Sequence, residues 1–94
     1  MPPALLGLAL LLVDAQPQNN CLETWTEARF RGYAYDHYVH IQNGCAYDAL
    51  CVVTTNVNPN PQEVEVDVGQ HIEVVTFHGS PWRTFTAKVT CTEI

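Results

Sequence analysis

The chain has 94 residues, 47% of them hydrophobic and 15% charged, and its ten acidic residues against four basic ones give a formal net charge of −6. That length admits one domain with a modest core. That charge argues against nucleic acid and anionic membrane as partners, because both require a surface rich in Lys and Arg.

Residues 1–15 read as an export signal: Ala4 to Val13 is an uncharged apolar run, and Val13-Asp14-Ala15 offers a cleavage site. The run is too short to span a bilayer. Cleavage after Ala15 would leave 79 of the 94 residues, with nine acidic side chains against Arg29, Arg31, Arg83 and Lys88. Residues 16–20, Gln-Pro-Gln-Asn-Asn, read as a flexible lead-in to a single domain over 21–94.

From Leu22 onward the chain consists of short alternating runs separated by turn residues, which is an all-β pattern. Leu22 to Arg31 places Leu22, Thr24, Thr26, Ala28 and Phe30 on one face and Glu23, Trp25, Glu27, Arg29 and Arg31 on the other. Gly32 permits a tight reversal into Tyr33 to Asn43, where Tyr35, His37, Val39 and Ile41 share a face. Asn43-Gly44 is a turn dipeptide, and Leu50 to Val57 reads as a central strand covered on both faces. Asn58-Pro59-Asn60-Pro61 ends it, since neither proline can donate to a ladder. Gln62 to Val68 turns Val64, Val66 and Val68 inward and Glu63, Glu65 and Asp67 outward. Ile72 to Phe77 follows, then a loop at His78-Gly79-Ser80-Pro81. Thr84 to Cys91 closes with Phe85, Ala87, Val89 and Cys91 on one face. The fold class is therefore a small antiparallel sandwich of six or seven strands, immunoglobulin-like, with two disulfides.

Cys21, Cys45, Cys51 and Cys91 form no Cys-x-x-Cys pair, so disulfides are favoured over zinc. With Gly32-Tyr33 at the tip of the first hairpin, Cys21 and Cys45 come face to face and staple its open end. Cys51 and Cys91 both point inward and would bridge the two sheets. The rival scheme joins Cys45 to Cys51 and Cys21 to Cys91, and either scheme makes the cysteines structural.

No catalytic constellation stands out. His37 and His40 are three apart on a strand and face opposite ways, and His71 and His78 sit near turns, so all four read as structural or exposed. Asp36 beside His37 suggests a general base, giving a small hydrolase as a remote alternative, but no nucleophile motif accompanies it. The Glu63, Glu65, Asp67 stripe reads as a solvated outer face that discourages edge pairing. No cofactor and no metal are expected. The aromatic residues are more suggestive, because Trp and Tyr supply large rigid contact area at low entropic cost. Trp25, lying among charges, is either a cover for the sheet edge or a contact residue.

Trp25 with Tyr33, Asn43-Gly44-Cys45-Ala46, Val52-Val53, Val68-Gly69-Gln70, His78-Gly79-Ser80 and Cys91 resemble the pattern of the tendamistat-type secreted α-amylase inhibitors. The resemblance covers residues 21–91 and implies a six-strand sandwich with two disulfides. That family carries a contiguous Trp-Arg-Tyr near its first hairpin. Here the tip reads Phe30-Arg31-Gly32-Tyr33 and the Trp-Arg pair is Trp82-Arg83, so amylase inhibition does not carry over with the fold. The Asn-x-Cys and Val-Asn-Pro-x-Pro-Gln segments also resemble small exported bacterial β-sandwich proteins, a likeness that implies no activity.

The sequence thus predicts a secreted, periplasmic or cell-surface, non-enzymatic binding module, possessing an inhibitor-like design and acting as a monomer on an extracellular protein or glycan. Its candidate ligand-binding residues are Trp25, Arg31, Tyr33, Tyr38, Trp82 and Arg83. The alternative is a structural or self-assembling extracellular β protein, pairing through exposed strand edges.

Overall fold

The computed structural model describes residues 21–94, so the expected export signal and lead-in lie outside the described residues. Six strands form: β1 (Leu22–Phe30), β2 (Tyr35–Asn43), β3 (Ala49–Thr55), β4 (Gln62–Val66), β5 (His71–Ser80) and β6 (Ala87–Glu93). They make two three-stranded antiparallel sheets, ordered β1-β2-β5 and β4-β3-β6. The sheets stack with β6 across β1 and with β4 across β2 and β5.

Between them lies a core of Val39, Ile41, Ala49, Cys51, Val53, Val66 and Cys91, with Leu22, Val64, Ile72, Phe85, Ala87 and Val89 packed around it. The alternation of the sequence produces this directly, since period-two side chains leave one face of each strand to bury. Strand β3 departs from the expected double covering. Ala49, Cys51, Val53 and Thr55 are buried, whereas Leu50, Val52 and Thr54 are only half-buried, because three strands per sheet leave its outer face open.

Both disulfides of the first pairing scheme are present, Cys21–Cys45 and Cys51–Cys91. The first staples the open end of the β1–β2 hairpin, where the Gly44 N–H also donates to the Cys21 carbonyl at 2.9 Å. The second corrects the expected inter-sheet bridge: β3 and β6 are neighbours in one sheet, Cys51 lies directly opposite Cys91, and their Cα atoms are 4.0 Å apart. Two inward-facing cysteines on adjacent strands meet across the ladder without crossing the core.

Other boundaries shift: β3 ends at Thr55 and not Val57, and β6 runs from Ala87 to Glu93 and not from Thr84 to Cys91, which leaves Phe85 ahead of the strand. Val68 falls beyond β4 and is exposed in a turn, where its N–H donates to Asp48 Oδ1 at 2.9 Å. His78, Gly79 and Ser80, expected as loop, continue β5 past a register irregularity against Tyr35 to His37. Gly79 makes this possible with φ of 75°, a left-handed conformation that residues with a Cβ rarely adopt. Gly32, with φ of 96°, does the same at the tip of the first hairpin, where the Arg31 N–H donates to the Ala34 carbonyl at 2.8 Å.

Asn43 ties the sheets together at the hairpin's open end. It is fully buried on β2; its amide nitrogen donates to the Val66 carbonyl of β4 at 2.9 Å and to the Tyr47 carbonyl at 3.0 Å, and its amide oxygen accepts the Cys45 N–H at 2.7 Å. At the other end Asn58 Nδ2 donates to the Thr76 carbonyl at 2.7 Å, and Gln62 Nε2 to the Val75 carbonyl at 3.2 Å.

Candidate functional site

The six predicted ligand-binding residues divide into two groups. Register places the β1–β2 tip, with Arg31 and Tyr33, beside the end of β5, because Phe30 pairs with Tyr35 and Tyr35 with Ser80. Trp82 and Arg83 follow Ser80 after Pro81, so these four belong to one end of the sandwich. Trp25 and Tyr38 lie instead on the outer face of the β1-β2-β5 sheet.

At the loop end the aromatic rings stand in solvent: Tyr33 is 85% exposed, Phe30 62% and Trp82 61%. A groove of about 430 Å³ opens there, lined by Asn56 and Val57 from the β3–β4 loop, Phe77 of β5, and Trp82 and Thr84 from the β5–β6 connection. The backbone beneath Trp82 is fixed. Its carbonyl accepts a hydrogen bond from His37 Nε2 at 2.8 Å, and its N–H donates to the buried Ser80 Oγ at 3.0 Å. His37 is fully buried with its ring stacked on Phe85, centroids 3.9 Å apart, and its Nδ1 has no hydrogen-bond partner among the described residues. The hydrogen bonds thus fix the backbone that carries an exposed indole.

Asp36 secures the same end. Its buried carboxylate accepts the Gly79 N–H at 3.2 Å, contacts His78 Nδ1 at 3.2 Å and pairs with the Arg31 guanidinium. Burial pushes this carboxyl upward, but the Gly79 N–H, His78 and Arg31 together outweigh it and hold it below its ordinary value. Asp36 and His37 thus serve different partners on opposite faces of β2.

The outer face of β1-β2-β5 carries a network that sequence reasoning missed. Trp25 stands opposite His40, and His40 opposite Glu73; Glu27 and His71 sit one diagonal step away, opposite Tyr38 and Gln42. Arg29 donates through Nε to Glu27 Oε2 at 2.7 Å and through Nη2 to Glu27 Oε1 at 3.0 Å and Glu73 Oε2 at 2.9 Å, and it lies 3.8 Å over the Tyr38 ring. His40 Nε2 lies 2.7 Å from Glu27 Oε1, and His40 Nδ1 lies 2.9 Å from His71 Nε2. Trp25 stacks on His40, centroids 5.0 Å apart and planes 3° off parallel, so it covers the imidazole. Hydrogen bonds from Arg29 and His40 hold the Glu27 carboxyl at about 2, and Glu27 in turn raises the Arg29 guanidinium.

The signal for this network was the run of outward polar and aromatic residues on three strands: Glu27 and Arg29, Tyr38 and His40, His71 and Glu73. It becomes a site only once β5 is known to pair with β2. On the other sheet the outward Glu65 and Asp67 lie with Asp48, whose carboxylate already accepts the Val68 N–H. Comparison of the chain with protein-family models, with curated proteins and with solved structures gives no match.

Proposed function

We propose that the protein is a secreted, non-enzymatic binding module that receives an extracellular protein or glycan at the loop end of its sandwich. The observation that carries this is Trp82: a largely exposed indole, on a backbone held by His37 and Ser80, at the lip of a groove with apolar and amide or hydroxyl side chains. Aromatic platforms beside a few placed polar groups are the usual composition of ligand sites. Two disulfides accord with an oxidising, extracellular compartment. The immunoglobulin-like reading is supported by strand order, since β1-β2-β5 against β4-β3-β6 among the described residues corresponds to A-B-E against C′-C-F.

The test is titration calorimetry of the purified protein against binders identified on arrays of extracellular glycans and hydrolases. A ligand is expected whose affinity falls at least about tenfold, 1.4 kcal/mol, on Trp82→Ala, with Tyr33→Ala weakening it less. No binder, or a binder indifferent to Trp82→Ala, would overturn the proposal.

A further inference from the structure

We infer that His40 and His71 form a divalent copper site on the outer face of the β1-β2-β5 sheet, with Glu27 orienting His40 from behind. The inference is independent of the groove at Trp82 and starts from proton positions. The Glu27 carboxylate, held ionised by Arg29, can only accept, so His40 Nε2 carries the proton and donates to it. A neutral His40 then has its lone pair on Nδ1, aimed at His71 Nε2 only 2.9 Å away. In the metal-free state His71 Nε2–H fills that position.

A metal ion needs one change: His71 moves its proton to Nδ1, a tautomer shift open to an exposed ring at the first position of β5. In its neutral form His40 already presents the correct nitrogen. Its other nitrogen already donates to a carboxylate, the arrangement that fixes the tautomer and ring orientation of metal-bound histidines. Imidazole nitrogens suit both Cu²⁺ and Zn²⁺, and the general affinity order for such ligands places Cu²⁺ first. With His40 held by Glu27 and Trp25, the exposed His71 ring turns until both lone pairs converge on the ion, and water completes the coordination.

The surroundings suit a cation. Glu27 and Glu73 against Arg29 leave the cluster with one net negative charge, and ligand atoms of Glu27, His40 and Glu73 lie within 4.8 Å of one another. Trp25 seals one side of His40 and supplies a reporter, because Cu²⁺ quenches a nearby indole.

The experiment is titration of the disulfide-bonded protein with CuCl₂ and separately ZnCl₂, followed by calorimetry, by Trp25 fluorescence in a Trp82→Phe background, and by paramagnetic resonance of the copper complex. One Cu²⁺ per chain is expected, bound more tightly than Zn²⁺, with Trp25 emission quenched and hyperfine splitting from two nitrogens. His71→Ala, at an exposed position, is expected to fold normally by circular dichroism and to bind Cu²⁺ at least about tenfold more weakly, and Glu27→Gln about 10- to 100-fold more weakly. His78→Ala, on the same strand but paired with Asp36, should bind as the unmodified protein does. No saturable binding at about 100 μM Cu²⁺, or unchanged binding by folded His71→Ala, would overturn the inference.

Discussion

Asn43 shows how one buried polar side chain can organise a small core. It makes three hydrogen bonds to two segments: to Val66 of β4, and to Tyr47 and the disulfide-bonded Cys45 in the β2–β3 connection. Each net bond contributes about 1 kcal/mol, and removing one partner leaves the others desolvated and unpaired, which costs more than the bond itself was worth. Asn43→Ala should therefore lower stability by about 3 kcal/mol, read as a drop in the urea midpoint at unchanged slope. A drop under about 1 kcal/mol would show that water replaces the amide. Asn43→Asp should be at least as damaging, because it puts an acceptor where the Val66 and Tyr47 carbonyls need a donor and buries a charge. Sequence reading took Asn43-Gly44 as a turn dipeptide, whereas Asn43 ends β2 and neither residue takes a positive φ; the side chain's role in joining the sheets depends on β4 lying across β2 and is invisible from the dipeptide.

The β1-β2-β5 sheet gains from its outer face as well as its core. Arg29, Glu27, Glu73 and His40 join all three strands, and Asp36 links the β1–β2 tip to β5 through Arg31, His78 and Gly79. Both Glu27 and Asp36 have carboxyls held below their ordinary values in the folded state, Glu27 at about 2 against 4.5. A group with a depressed folded pKa stabilises fully above its unfolded pKa, and that contribution is lost as pH falls through the folded value. The urea midpoint should thus hold above pH 4.5 and decline from there towards pH 2, with a shallower decline in Glu27→Gln. Equal declines in both proteins would place the acid sensitivity elsewhere. Strands were legible in the sequence because alternation by two is a local property, and their faces followed with it. The disulfide pairing came out of the same counting, since the tip at Gly32 sets which residues oppose Cys21. The cluster around His40 was not legible, because His71 is 31 residues away and meets it only through a sheet order that alternation does not encode. The placement of Cys51–Cys91 failed for that reason too: both cysteines pointed inward as expected, and only the adjacency of β3 and β6 made the bridge run within one sheet.

As a whole molecule the sandwich is thin. Three strands per sheet leave β3 as the only strand of its sheet with neighbours on both sides, and much of β1 and β6 stays exposed. The outward charges Glu63 and Glu65 on edge strand β4 and Lys88 on edge strand β6 oppose pairing with other copies, so elution independent of concentration is the behaviour that fits. A domain of under 80 residues seldom gains more than a few kcal/mol from its core alone, and the two bridges supply the remainder. In the chain-entropy account, closing loops with separations of 24 and 40 residues is worth about 3.5 and 4 kcal/mol by restricting the unfolded chain. Their sum is comparable to the whole stability of a domain this size. Reduction should therefore unfold the protein near 37 °C: far-UV dichroism in excess reductant is expected to lose its β signal cooperatively, and to recover it on reoxidation. A native spectrum persisting after complete reduction, with all four thiols counted by alkylation, would show that the stacked sheets stand without their covalent ties. Cys51–Cys91 should be the more costly to lose, because it closes the longer loop and both its cysteines belong to the buried core cluster.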